Sequence, residues 1–124
     1  MHTKDLVGLS YNGVNVLSLN GKLGNGAYAF NVEYEGRTQV LRKCEILKLI
    51  NRNVTLSNMM KQKIGKMIPQ VGMIISVRHS EKDTKLIYVV YTGQKIINKT
   101  MGELKTLLEK GKTIQLAQQG FNCL

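Results

Sequence analysis

Two stretches of this sequence resemble each other. VEYEGRTQVLRKCEILKLINRNVTL, from Val32, aligns with VVYTGQKIINKTMGELKTLLEKGKTIQL, from Val89. Val32, Tyr34 and Gly36 fall on Val89, Tyr91 and Gly93; after a one-residue shift, Ile46, Leu49 and Ile50 fall on Leu104, Leu107 and Leu108. A physical pattern recurs with the letters, as an internal repeat requires. In each copy an alternating run ends in Tyr-x-Gly and a short polar, basic turn follows. An apolar stripe at i, i+3, i+4 then marks one helix of about three turns.

Helix boundaries are sharper in the second copy. Thr100 and Glu103 make a Thr-x-x-Glu capping box, and Lys110-Gly111 closes the last turn as a basic residue and a left-handed terminator. Short alternating strands are expected after both helices, over Val54 to Leu56 and Thr113 to Ala117. Hairpin partners precede both copies: GVNVLSL before the glycine loop, and GMIISVRH before the polar turn SEKDTK. Between the copies, LSNMMKQKIGKMI places Met60, Ile64, Met67 and Ile68 on one helical face that stops at Pro69.

The expected fold is therefore α+β: two tandem β-β-α-β units forming an internal pseudo-repeat, with halves at about 6–57 and 70–118. A linker helix at about 58–68 joins them, the sheet is mostly antiparallel, and the helices lie on one side. The 124 residues, 43% hydrophobic with a single proline, suffice for one domain, 1–124, with its own core.

NGKLGNG, residues 20–26, reads at first sight as a phosphate loop. A Walker loop requires G-x-x-x-x-G-K-[ST], but Gly21-Lys22 is followed by Leu23. GKLG fits the letters of the GXXG loop of KH domains, and Gly24 and Gly26 those of the glycine-rich turn in acyl-CoA-binding acetyltransferases. Both loops adjoin a helix N-terminus that helps to hold the ligand. Here AYAFNVEY follows, with a period of two that marks a strand, so no helix end is expected beside the loop. Asn12-Gly13, Asn20-Gly21 and Asn25-Gly26 instead supply the positive φ angles of tight hairpins, and the loop is read as a turn.

Catalytic and metal chemistry find little support. His2 and His79 are isolated, and Cys44 and Cys123 lie far apart with no CxxC or HxxxH spacing. No metal site, cofactor or disulfide framework is expected, and Cys44 is read as a small buried apolar residue. Glu33 and Glu35 share a strand face with Arg37, which points to an ion pair or a solvated face rather than to acid-base work. Asp83-x-Lys85 sits in a turn without the upstream aspartate a nuclease needs. The chain is not expected to be an enzyme. No stretch approaches the roughly 20 apolar residues of a membrane span, and the N-terminus lacks a signal-peptide core, so a cytoplasmic location is expected.

Charge carries the functional reading. Eighteen Lys and Arg face eight Asp and Glu, a net +10. Such an excess attracts polyanions, although lysine-rich surfaces also serve solubility alone. Between residues 37 and 66 lie Arg37, Arg42, Lys43, Lys48, Arg52, Lys61, Lys63 and Lys66, opposed only by Glu45. Lys48 and Arg52, four apart, and Lys63 and Lys66, three apart, are expected to share helix faces. No helix-turn-helix or RNP motif appears, and the aromatics fall at core positions, so contacts would be with phosphates and of low sequence specificity. The expected function is a small non-catalytic module binding nucleic acid or a nucleoprotein through these eight residues. The alternative is an adaptor or inhibitor, of the kind small phage or plasmid genes encode, docking on an acidic surface of a host protein. Either works as a monomer or a homodimer.

Overall fold

The computed structural model describes residues 2–82 and 85–111. The chain is α+β, with two four-stranded antiparallel sheets and few helices. After a 3₁₀ turn at Thr3–Leu6 come β1 (Ser10–Tyr11), β2 (Val14–Lys22), β3 (Tyr28–Tyr34) and β4 (Arg37–Arg42), a meander in sequence order. Helix α1 (Lys43–Ile50) follows without a break. After the short α2 (Asn58–Lys63), the second meander comprises β5 (Met67–Ile68), β6 (Gly72–His79), β7 (Leu86–Tyr91) and β8 (Ile96–Thr100), and it runs straight into α3 (Met101–Gly111).

The order strand-strand-helix-strand is thus not what the chain forms. Residues 37–42 and 96–100, read from sequence as turns, are edge strands; β4 is exposed along nearly its whole length, so no apolar alternation marks it. Val54 to Leu56 lie in irregular chain, and Thr113 to Ala117 lie outside the described residues. The linker helix is only six residues long. Ser57 caps it through its hydroxyl, which accepts from the Met60 amide at 3.3 Å. The helix stops at Lys63 with Ile64 already extended, Gly65 follows in the left-handed region at φ 95°, and Met67–Ile68 pair as a strand with β6.

What recurs is four strands and a helix. The pairing of Val16 with Val32 returns as Ile74 with Val90, and that of Ala29 with Arg42 as Ile87 with Thr100. The Gly8 amide reaches the Val16 carbonyl at 2.9 Å, and the Gly65 amide the Ile74 carbonyl at 2.8 Å. Both long strands carry a bulge at the same place, between Val16 and Ser18 and between Ile74 and Ser76. Equivalent strand pairings lie 58 residues apart, so Tyr91 occupies the place of Glu33 and the Tyr-x-Gly match is one residue out of register.

Paired residues in a sheet share a face, and neighbours along a strand do not. Ile74 opposite Val90 and Ser76 opposite Val89 therefore lie on opposite faces of the second sheet. Ser76 faces α1, where its Oγ donates to Asn51 Oδ1 at 2.7 Å. Ile74 lines a groove with Met101 and Leu104 of α3. Helices consequently cover both faces of this sheet rather than one side, which is why β6 is buried from Gly72 to Val77. Phe30, Val32, Ile46, Leu47, Ile50, Ile64, Met73 and Ile75 belong to one buried cluster that reaches both sheets. The outer face of the first sheet is largely polar instead, with Val40 exposed opposite Asn31: Ser10 donates to Asn15, Asn15 to Glu33, and Asn20 to Asn31 to Ser18.

Candidate polyanion-binding surface

The eight basic residues between 37 and 66 do not form one stripe. Arg37 opens β4 in full exposure. Arg42 precedes α1, with its Nε 3.1 Å from Glu45 Oε1 while its backbone amide donates to the same oxygen at 3.0 Å. That amide bond first, then the Arg42 side chain, holds the Glu45 carboxyl below the usual range. Lys43 points inward: it is 9% exposed, and its Nζ donates to the Gly65 carbonyl at 3.0 Å. Burial pushes its pKa down to about 8. An apolar place on the inner side of α1 accounts for this, since Lys43 precedes the inward-facing Ile46 and Leu47 by one turn and Ile50 by two.

Lys48 is exposed on α1, but the helix ends at Ile50, so Arg52 lies beyond it rather than on a shared face. The Arg52 guanidinium stacks 4.7 Å from the Tyr34 ring centroid and donates to the carbonyls of Leu49 at 2.8 Å and Asn12 at 3.0 Å. Tyr34 titrates above its usual range, first through a hydrogen bond to Glu35 and then through desolvation, with Arg52 acting in the opposite sense.

Lys61, Lys63 and Lys66 are half-buried. Lys63 closes α2 and Lys66 follows the Gly65 turn, so they do not share a helix face as expected. Both nevertheless reach one groove. Its volume is about 320 Å³; Ile68, Ile74, Met101 and Leu104 supply its apolar surface, and Lys63, Lys66 and Lys105 its charge. The capping box at the start of α3 helps to set the helix there: the Thr100 amide donates to Glu103 Oε1 at 2.9 Å and the Glu103 amide to Thr100 Oγ1 at 3.3 Å. Lys105 escapes a reading from sequence because its partners are remote in the chain. Its place beside Leu104, an inward residue of the apolar stripe, is the one local signal it carries.

The glycine segment turns a hairpin. A bulge at Asn20, between the paired Leu19 and Gly21, lies near the end of β2; the turn itself is closed by the Leu23 amide on the Ala27 carbonyl at 2.7 Å and the Gly26 amide on the Leu23 carbonyl at 2.9 Å. A helix end does stand beside it, contrary to expectation. Asn25, Gly26, Ala27 and Tyr28 share a pocket of about 480 Å³ with Arg42, Lys43 and Cys44 at the start of α1. The meander brings together what sequence separates. Cys44 is half-buried at this pocket, which corrects its reading as a small buried apolar residue, and Cys123 lies outside the described residues.

Glu35 sits in the two-residue β3–β4 turn at φ 53°, off the strand face that Glu33 occupies, and Glu33 accepts from Asn15 at 2.6 Å and from the Gly36 amide at 3.1 Å. Among the described residues no group of three or more His, Cys, Asp or Glu is placed to hold a metal ion. No helix among them is long and apolar enough to cross a membrane. No family model matches the sequence, and neither the curated proteins nor the solved structures contain a significant match.

Proposed function

We propose that the protein is a small, non-catalytic binding module built from two β-β-β-β-α repeats, and that its partner is an acidic protein segment. One observation carries this reading: Lys63, Lys66 and Lys105 converge on a groove whose remaining surface is aliphatic. A phosphate backbone has no use for an apolar floor, and bases would call for aromatic rings to stack on, which this groove lacks. Nucleic acid, the other partner class suggested by the net +10, is supported by charge alone. Of the eight basic residues between 37 and 66, Lys43 is buried, Arg42 is paired with Glu45 and Arg52 is stacked on Tyr34, which weakens the case for a continuous phosphate track.

The salt dependence of binding separates the two partners. Fluorescence anisotropy with labelled single- and double-stranded oligonucleotides and with a labelled Glu- and Leu-rich peptide is expected to give steep loss of oligonucleotide binding between about 50 and 200 mM salt. Peptide binding, driven in part by apolar burial, persists. Micromolar oligonucleotide binding at physiological salt without peptide binding reassigns the module to nucleic acid.

A further inference from the structure

Three lysines line one apolar groove, and among the described residues none of them is in an ion pair. Lys63 and Lys66 approach from the α2–β5 segment, and Lys105 from α3. Glu103 of α3 spends its carboxylate on the Thr100 amide. Like charges gathered at a low-dielectric surface repel, and the repulsion is relieved by an opposite charge brought from outside. A monocarboxylate, such as a fatty acid, would answer only one of the three. A second copy of this chain, itself at +10, brings the wrong sign.

We propose that this groove docks a short acidic peptide segment of a partner protein, one aliphatic side chain resting on Ile68, Ile74, Met101 and Leu104 while flanking carboxylates meet Lys63, Lys66 and Lys105. The proposal rests on the reading of the protein as a module for acidic partners and assigns that reading a place. The apolar anchor supplies affinity through area removed from water, and the three lysines select sequences with carboxylates on both sides of the anchor. At about 320 Å³ the groove holds one or two side chains rather than an extended surface, so the segment is short.

The test uses the full chain and a labelled peptide, Asp-Glu-Leu-Leu-Glu-Asp extended by Gly-Ser at both ends, followed by anisotropy at about 150 mM salt. An all-glutamate peptide of equal charge serves as its comparison. The Leu-containing peptide is expected to bind at least about tenfold tighter than the all-glutamate one. The set Lys63→Gln, Lys66→Gln and Lys105→Gln is expected to weaken it by at least about tenfold, and Met101→Ser by several-fold. The set Lys4→Gln, Lys82→Gln and Lys95→Gln, of equal charge change on exposed positions elsewhere, leaves it within about twofold. Circular dichroism and thermal melts establish that each variant is folded. Equal weakening by the two lysine sets, or equal affinity for the two peptides, overturns the groove while leaving an acidic partner in place. Absence of binding by either peptide removes both readings.

Discussion

Asn51 and Ser76 meet in the protein interior, the Ser76 hydroxyl donating to Asn51 Oδ1 at 2.7 Å, and the contact ties the end of α1 to the bulge of β6. The Asn51 amide nitrogen also donates to the carbonyls of Leu47 at 2.8 Å and Ile75 at 2.9 Å. A bulge leaves its extra residue outside the ladder, and here a side chain takes up the carbonyl that the ladder abandons. Asn51→Ala strands that carbonyl and the Ser76 hydroxyl in a buried place. The expected loss is about 2–4 kcal/mol, against about 1 kcal/mol for Ser76→Ala, read from urea unfolding midpoints. Equal losses for the two variants would contradict this account.

Gly72 and Gly36 are glycines for different reasons. A Cβ on Gly72 would run into the backbone carbonyl of Tyr91 and the Cα of Thr92, because β6 starts tight against the end of β7. At Gly36 there is open space, but φ is 77° in the two-residue turn between β3 and β4. Gly72→Ala is expected to cost about 3 kcal/mol or more, and Gly36→Ala about 1 kcal/mol. Thermal melts of the two variants check the order, and a reversal would mean that the β6–β7 backbone yields easily.

The long strands were legible because residues such as Tyr28, Phe30, Val32 and Tyr34 alternate with smaller or polar ones, and the capping box of Thr100 and Glu103 fixed the start of α3. β4 was not legible: an edge strand exposed on both faces has no period to detect, so Arg37 to Arg42 read as a turn. The letter match of Tyr34 with Tyr91 was misleading in register, since the turns between β1 and β2 and between β5 and β6 differ in length by one residue. Of the groove, Lys63 and Lys66 stood within the basic segment, but Lys105 joins them only through the packing of α3 against β7 and β8. Nor does a string of basic residues show which of them turn inward. Lys43 sits on the apolar side of an eight-residue helix and is covered by it.

Arg52 is held as a structural residue. Its guanidinium lies over Tyr34 and bridges the end of α1 to the β1–β2 turn through the Leu49 and Asn12 carbonyls. A lysine keeps the charge but loses the planar fork. Arg52→Lys is therefore expected to cost about 1 kcal/mol of stability, and Tyr34→Leu a similar amount with less than additive loss in the double variant. Chemical denaturation of the four proteins closes this cycle. Full additivity would show that the stacking contributes nothing.

Lys43 makes stability depend on pH in an unusual direction. Its ammonium has a pKa near 10.5 when the chain is unfolded and about 8 when burial strips its water. Between those values the unfolded chain holds a proton that the native state has released, so stability rises with pH from about 8 upward. Burial pushes the Tyr88 and Tyr91 hydroxyls the other way, and the native state keeps those protons longer than the unfolded one. Above about pH 10 they lower stability, and the profile turns over. Lys43→Met removes the rising limb and leaves the fall. Urea midpoints measured in steps of about half a pH unit from neutrality to about pH 10.5 decide it: a rising limb that survives in Lys43→Met assigns the dependence to another group.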